Sequence, residues 1–298
     1  FRHSKLRLWG FNQPGLQELG LEIEKTWSRT YQQSPYHISK AGLYMQPMVD
    51  TLRTNLFDPG KLAVLYLKYK IDNKLIDIES EVSSSVDPYS DWSFNRITLT
   101  SSVKSSASFS EDNLLKKFVG FTYGGYRGRV FAGKIWTNKS GVPNQEAYNI
   151  EGNSSADMFR ISYLRNQDSF FGITEINNNY HMAGEGNIRG FVSQNEKGAD
   201  AAGSVTSEIF LVNKRVDMSG YLEDSPISFE LAFFADGGIF YNNGSMRKLG
   251  DAGIGIRLSS TVYDKPLYLR LDFPLILFKD GDKLENDTKC VISFQRSI

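Results

Sequence analysis

Leu267-Tyr268-Leu269-Arg270-Leu271-Asp272-Phe273-Pro274-Leu275-Ile276-Leu277 places a large apolar side chain at every odd position, while most even positions are polar, charged or proline. Side chains on a β-strand point alternately to its two faces, so one face of this strand is purely apolar and the other carries Arg270 and Asp272. The pattern recurs upstream. Ile227, Phe229, Leu231, Phe233, Ile239 and Tyr241 share one face, with Ser228, Glu230 and Asp236 on the other. Ile254, Ile256 and Leu258 alternate with Gly253, Gly255 and Arg257, Ile209 and Leu211 oppose Thr206 and Glu208, and Cys290, Ile292 and Phe294 oppose Val291 and Ser293.

A soluble β-sandwich alternates in the same way. Two features favour a transmembrane barrel. Many segments run about 10 to 14 residues, whereas an ordinary strand has about 5 to 6 and a tilted bilayer crossing needs about 9 to 11. Charges also stand in the middle of the polar faces, at Asp236, Arg257, Arg270 and Asp272, as a wet lumen allows. The mean hydropathy of −0.35 excludes a bundle of apolar helices. It does not count against a barrel, in which only every second residue meets lipid. Phe and Tyr near the expected strand ends suit interfacial girdles. A net charge of zero argues against nucleic-acid binding, which needs a basic face, and Cys290 alone permits no internal disulfide.

The fold expected is all-β: one domain over residues 1–298, an antiparallel transmembrane β-barrel of about 14–16 strands. Strands are expected near 4–11, 16–29, 36–49, 60–71, 74–86, 94–109, 117–124, 127–137, 157–167 and 170–181, and then near 203–213, 227–241, 251–262, 266–278 and 289–297. Asp72-Asn73 and Tyr263-Asp264-Lys265 are tight-turn signals, and the polar stretch from Thr137 to Asp157 reads as a long loop. Short and long connections are expected to alternate between the two ends of the barrel. Phe1-Arg2-His3 opens on a strand and not on a signal peptide, so the expectation is the C-terminal part of a longer polypeptide.

The run Asn187-Ile188-Arg189-Gly190-Phe191, Gly203 and Glu208 on the following strand, Phe234-Ala235-Asp236-Gly237-Gly238, Gly253 to Leu258 and Leu269 to Leu275 together resemble the C-terminal half of the outer-membrane-protein-85 superfamily, the BamA-like barrels. That superfamily includes the TamA-like assembly factors, the two-partner secretion transporters and several enzyme-fused barrels. The resemblance covers about residues 184–298; residues 1–183 match only as generic barrel strands. It implies that Arg189, Gly190 and Phe191 sit on a long extracellular loop folded into the lumen, that five strands follow, and that Asp236 is the partner of the arginine. Two departures stand out. The chain finishes Phe294-Gln295-Arg296-Ser297-Ile298 instead of on an aromatic residue, and residues 1–60 lack the helical periodicity of POTRA repeats.

A guanidinium inside a barrel needs a carboxylate, and the planar fork of arginine suits a bidentate one. Asp236 lies on the inward face, with Glu208 and Asp272 as competing candidates; Arg257 and Arg270 would join them in a luminal network. Gly190 lets the loop tip turn without a Cβ clash, and Phe191 wedges against the inner wall. The bland alternative is an ordinary turn with an exposed arginine, of which Arg127-Gly128 is taken as a further example.

The three histidines form no HExxH pair or His/Cys cluster, and no nucleophile elbow or P-loop occurs, so no catalytic residue, metal or cofactor is expected. The acidic stretch Lys279 to Asp287 has the look of a calcium loop but the wrong spacing and falls where a hairpin loop is expected. The resemblance implies a bacterial outer-membrane location, lipid contact, and insertion or translocation of polypeptides. Periplasmic domains, accessory lipoproteins or polypeptide substrates would be the partners. The alternative is a barrel that anchors a fused enzyme, since Phe121-Thr122-Tyr123-Gly124-Gly125-Tyr126-Arg127-Gly128-Arg129-Val130-Phe131-Ala132-Gly133 resembles barrels attached to zinc aminopeptidase domains. A passive porin is disfavoured, because it would need the lumen that an inward loop fills.

Overall fold

Alternating segments longer than about ten residues cannot bury their apolar face within themselves, and in this chain they pair edge to edge into one sheet. A computed structural model describes residues 2–13, 16–27, 36–49, 58–73, 75–110, 112–138, 141–150, 184–191, 198–216, 227–262, 265–284 and 290–296. The strands are β1 (Arg2–Gln13), β2 (Leu16–Trp27), β3 (Tyr36–Val49), β4 (Leu62–Asp72), β5 (Ile76–Ser85), β6 (Phe94–Ser108) and β7 (Tyr123–Thr137). There follow β8 (Ala201–Val216), β9 (Ile227–Asn242), β10 (Ser245–Val262), β11 (Lys265–Lys279), β12 (Asp282–Leu284) and β13 (Val291–Arg296). Each pairs antiparallel with the next from β1 to β12, and β13 pairs with β11 beside β12. Since β12 and β13 share one edge of β11, five sheet positions follow the Arg189 segment. The result is a 13-stranded all-antiparallel sheet, consistent with a β-barrel. No helix among the described residues is long and apolar enough to cross a membrane.

One face of this sheet leaves large apolar side chains exposed, and the other buries charged ones. Leu8, Leu65, Ile209 and Phe233 are 76%, 56%, 59% and 48% exposed, whereas Glu18, Glu208, Asp236 and Asp272 are buried. One buried cluster collects Tyr44 of β3, Val64 of β4, Phe94 of β6, Phe131 of β7, Phe240 of β9, Leu249 of β10 and Leu277 of β11, with Trp9 of β1 packed against it. Strands spaced about 4.8 Å apart can share one cluster across so many positions only if the sheet curls with that face inward.

The strand count is 13 among the described residues, below the expected 14–16. The two strands expected over 117–124 and 127–137 are one: β7 runs unbroken, and Leu115–Val119 forms a helical turn closed by Gly120 at φ 79°. The gap expected at residues 125–126 does not occur. In the sheet, Gly125 instead lets β7 pass closely by the Ser105 carbonyl, where a Cβ would not fit. The strands expected over 157–167 and 170–181 lie outside the described residues. Short and long connections do not segregate by end. The two-residue link between β9 and β10 stands at the same end as the 63-residue span between β7 and β8. Asn243 and Gly244 both take positive φ there, 49° and 81°, and Asp280 and Gly281 do the same between β11 and β12, as two-residue hairpins with this twist require. Lys279 to Leu284 thus form a tight hairpin in which Asp280 Oδ1 accepts the Lys248 amide at 2.8 Å, and the rest of that acidic stretch lies outside the described residues.

The alternation that opens the sequence reading fails at one residue. Gly253 pairs with Pro274 and Ala252 with Ile276, so Leu275 is an extra residue in a β-bulge. A one-residue slip reverses the faces beyond it. Leu275 is 58% exposed, while Leu277, placed on the same face by period two, is fully buried. Proline is tolerated at such a bulge because the ladder is already interrupted.

Candidate functional site

Of the chain between β7 and β8, the described segments 141–150, 184–191 and 198–200 pack against the inner face of the curled sheet. Tyr148 and Ala199 form a two-way bridge, with amide-to-carbonyl distances of 2.9 and 2.8 Å, and the Ile188 amide donates to the Ile150 carbonyl at 3.0 Å. Tyr148 reaches the inner wall, donating its hydroxyl to the Ile97 carbonyl at 2.7 Å, and burial pushes its phenol up to about 12. Gly184 and Glu185 border a cavity of about 530 Å³, and Asn187 and Arg189 border a second of about 310 Å³. The segment 184–191 therefore stands between two internal spaces.

Arg189–Phe191 is a single 3-10 turn packed against β10 and β11. Arg189 Nε and Nη2 donate to the two carboxylate oxygens of Asp236 at 2.6 and 2.9 Å, Nη1 donates to Glu208 at 3.1 Å, and Asp272 is 3.6 Å away. The guanidinium also lies 4.0 Å from the ring centroid of Phe234. The even positions from Ala202 to Val212 on β8 and from Glu230 to Asp236 on β9 are buried, which puts Glu208, Phe234 and Asp236 on one wall. The partner left open among Asp236, Glu208 and Asp272 is Asp236 by bidentate geometry, and all three surround the same guanidinium. Phe191 is fully buried with Ile188, Leu249 and Leu277. The Gly190 amide donates to Asp251 Oδ2.

A second layer joins this one through Glu208. Its carboxylate takes Arg127 Nη1 at 2.8 Å, Arg257 Nη2 at 2.8 Å and Arg270 Nη2 at 2.7 Å. Arg127 makes a bidentate pair with Glu230, at 2.6 Å for each bond, and stacks 3.8 Å over the Phe210 ring. Arg257 reaches Glu230 at 3.0 Å, and Arg270 Nε lies 2.5 Å from Asp272 Oδ2. The expected network of Glu208, Arg257, Arg270 and Asp272 is thus brought together with the Arg189 site. Sequence reasoning missed two members. Arg127, taken as an example of an ordinary Arg-Gly turn, is an inward residue of β7; the alternating Arg127, Arg129, Phe131 was the available signal. Asp251 lies directly opposite Asp236 in the β9–β10 register and stood at the very edge of the expected strand 251–262.

The larger cavity is lined by charges from the N-terminal half. Tyr44 donates to Glu146, Arg96 pairs with Glu185, and Tyr66 donates to Glu22 at 2.7 Å. Lys40 lies 3.0 Å from Glu24, and Lys68 2.6 Å from Glu79. Ion pairs held this way, in low dielectric and with several hydrogen bonds each, position a segment; they do not by themselves perform chemistry. Among the described residues no three or more His, Cys, Asp or Glu side chains group as metal ligands would. No protein-family model matches the sequence, and no curated protein matches it. Fold and site together define a class: an all-antiparallel β-sheet, consistent with a β-barrel, curled around a charged interior that an internal chain segment fills.

Proposed function

We propose that the chain is a transmembrane β-barrel of the bacterial outer membrane, of the outer-membrane-protein-85 type, acting in the insertion or translocation of polypeptides. The observation that carries this reading is the buried bidentate Arg189–Asp236 pair, which ties an inward-folded Arg-Gly-Phe turn to the strands of an outwardly apolar sheet. An apolar exposed face with charges inside is the arrangement a barrel in lipid requires. A turn that fills the interior and is held by ion pairs can be released as a unit, which suits a gated path for chain segments. The test is reconstitution of the purified chain in liposomes, followed by the rate at which an unfolded outer-membrane barrel acquires protease resistance. Acceleration over empty vesicles that Arg189→Ala abolishes is expected; a rate equal to that of empty vesicles for the native chain rejects the reading. The second reading, a membrane anchor for a fused enzyme, is favoured by the filled interior itself, since Tyr148, Ile188 and Phe191 are fully buried within it.

A further inference from the structure

We propose that the smaller cavity is a binding site for a phosphate-type oxyanion, held between Lys104 and Arg129. Cations dominate its lining: Lys104, Arg127, Arg129, Arg189, Arg257 and Arg270 stand against Glu208 and Asp77. Four of these are neutralised within the wall. Arg189 is paired with Asp236, Arg127 with Glu230, Arg257 with Glu208 and Arg270 with Asp272. Asp77 is engaged at the rim, where its Oδ1 accepts the Asn73 amide at 3.1 Å. Two cations remain. Among the described residues neither Lys104 nor Arg129 has a carboxylate within ion-pair distance, and the one hydrogen bond of the Arg129 guanidinium goes to the Glu185 backbone carbonyl, at 2.8 Å.

The register brings these two charges together. Lys104 is the cross-strand partner of Arg127 and Arg129 is two residues further on, so Lys104 and Arg129 are diagonal neighbours on one face, about 7–8 Å apart at the backbone. Neighbouring like charges destabilise a sheet, and Lys104 and Arg129, neither of them neutralised by a carboxylate of the described residues, are stabilised by an anion that enters between them. Asn187 supplies an independent observation. It borders the same cavity, is 6% exposed, holds a left-handed backbone at φ 59°, and its Oδ1 has no hydrogen-bond donor among the described residues. A buried amide oxygen without a donor is costly, and a protonated phosphate or the hydroxyl of a phosphate ester offers that donor. The site is thus built for an oxyanion that carries at least one hydroxyl.

This inference does not rest on polypeptide translocation and survives or fails apart from it. The test is isothermal titration of the folded chain in a zwitterionic detergent with three probes: inorganic phosphate, glycerol 3-phosphate and dihexanoyl phosphatidic acid. Saturable binding of phosphate or glycerol 3-phosphate supports a soluble oxyanion. Binding of the short lipid alone supports a headgroup site. In either case Lys104→Gln and Arg129→Gln each lower the affinity at least tenfold, while Lys68→Gln, in the other cavity, leaves it unchanged. Lys104 is exposed, so its variant tests the site without disturbing the fold. Absence of saturable binding for all three probes, or equal binding by native chain and Lys104→Gln, overturns the proposal.

Discussion

Leu277 Cδ2 occupies the space beside Gly190: a Cβ built on residue 190 would lie 2.5 Å from it and 2.8 Å from Asp251 Oδ2. Leu277 is fully buried and Asp251 holds the Gly190 amide, so neither can retreat without loss. Gly190→Ala is expected to destabilise the chain by about 1–3 kcal/mol through overpacking. The check is a urea unfolding curve in detergent. Leu277→Ala in the same chain should make Gly190→Ala less costly, because it removes the nearer of the two clashes; strictly additive effects would reject this account.

Arg189→Ala leaves Asp236, Glu208 and Asp272 facing one another in a buried space. Breaking a buried pair by removing one partner costs about 3–5 kcal/mol, whereas losing both partners costs less. The double variant Arg189→Met with Asp236→Leu is therefore expected to unfold at a higher urea concentration than Arg189→Ala alone. The opposite order of midpoints would show that Asp236 is not the partner whose burial matters.

Arg127→Lys keeps the charge but removes the planar fork that holds both oxygens of Glu230 and stacks on Phe210. A loss of about 1–2 kcal/mol is expected, in line with a charge-assisted hydrogen bond and a desolvated cation–π contact. Urea midpoints of Arg127→Lys and of Arg7→Lys check it. Arg7 is half-exposed and its ion pairs are 3.4 Å or longer, so its variant should stay close to the native value.

The bulge at Leu275 predicts a reversal that alternation alone denies. In a Cys290→Ser background, Leu275→Cys should react with a lipid-soluble maleimide in reconstituted vesicles, while Leu277→Cys should react with neither that reagent nor a water-soluble one. Equal labelling of the two positions would mean that the strand continues its period of two through Pro274.

Much of the sheet is legible in the sequence, because period-two alternation over long segments allows few other structures. The strands expected over 36–49, 227–241 and 266–278 lie within one residue of those observed at each end. Where reading failed, glycine or a bulge was responsible. Gly125 stood in the gap expected between two strands but serves a close approach of backbones, and Leu277 was assigned a face by a rule that one extra residue cancels. Arg127 was passed over because Arg-Gly is a common pair and nothing local distinguishes a turn arginine from one aimed into the interior.

Residue order alone dictates long antiparallel strands with one apolar and one charged face, since side-chain direction on a strand depends only on residue parity. It also nominated Arg189 and the carboxylates able to hold it. That Asp236 takes the bidentate position, that Glu208 links Arg127, Arg189, Arg257 and Arg270, and that Asp251 receives the Gly190 amide are choices made by the folded chain. Those choices follow from strand register and from the curl of the sheet, which bring together residues 19 to 81 positions apart. No local pattern encodes a distance of that kind.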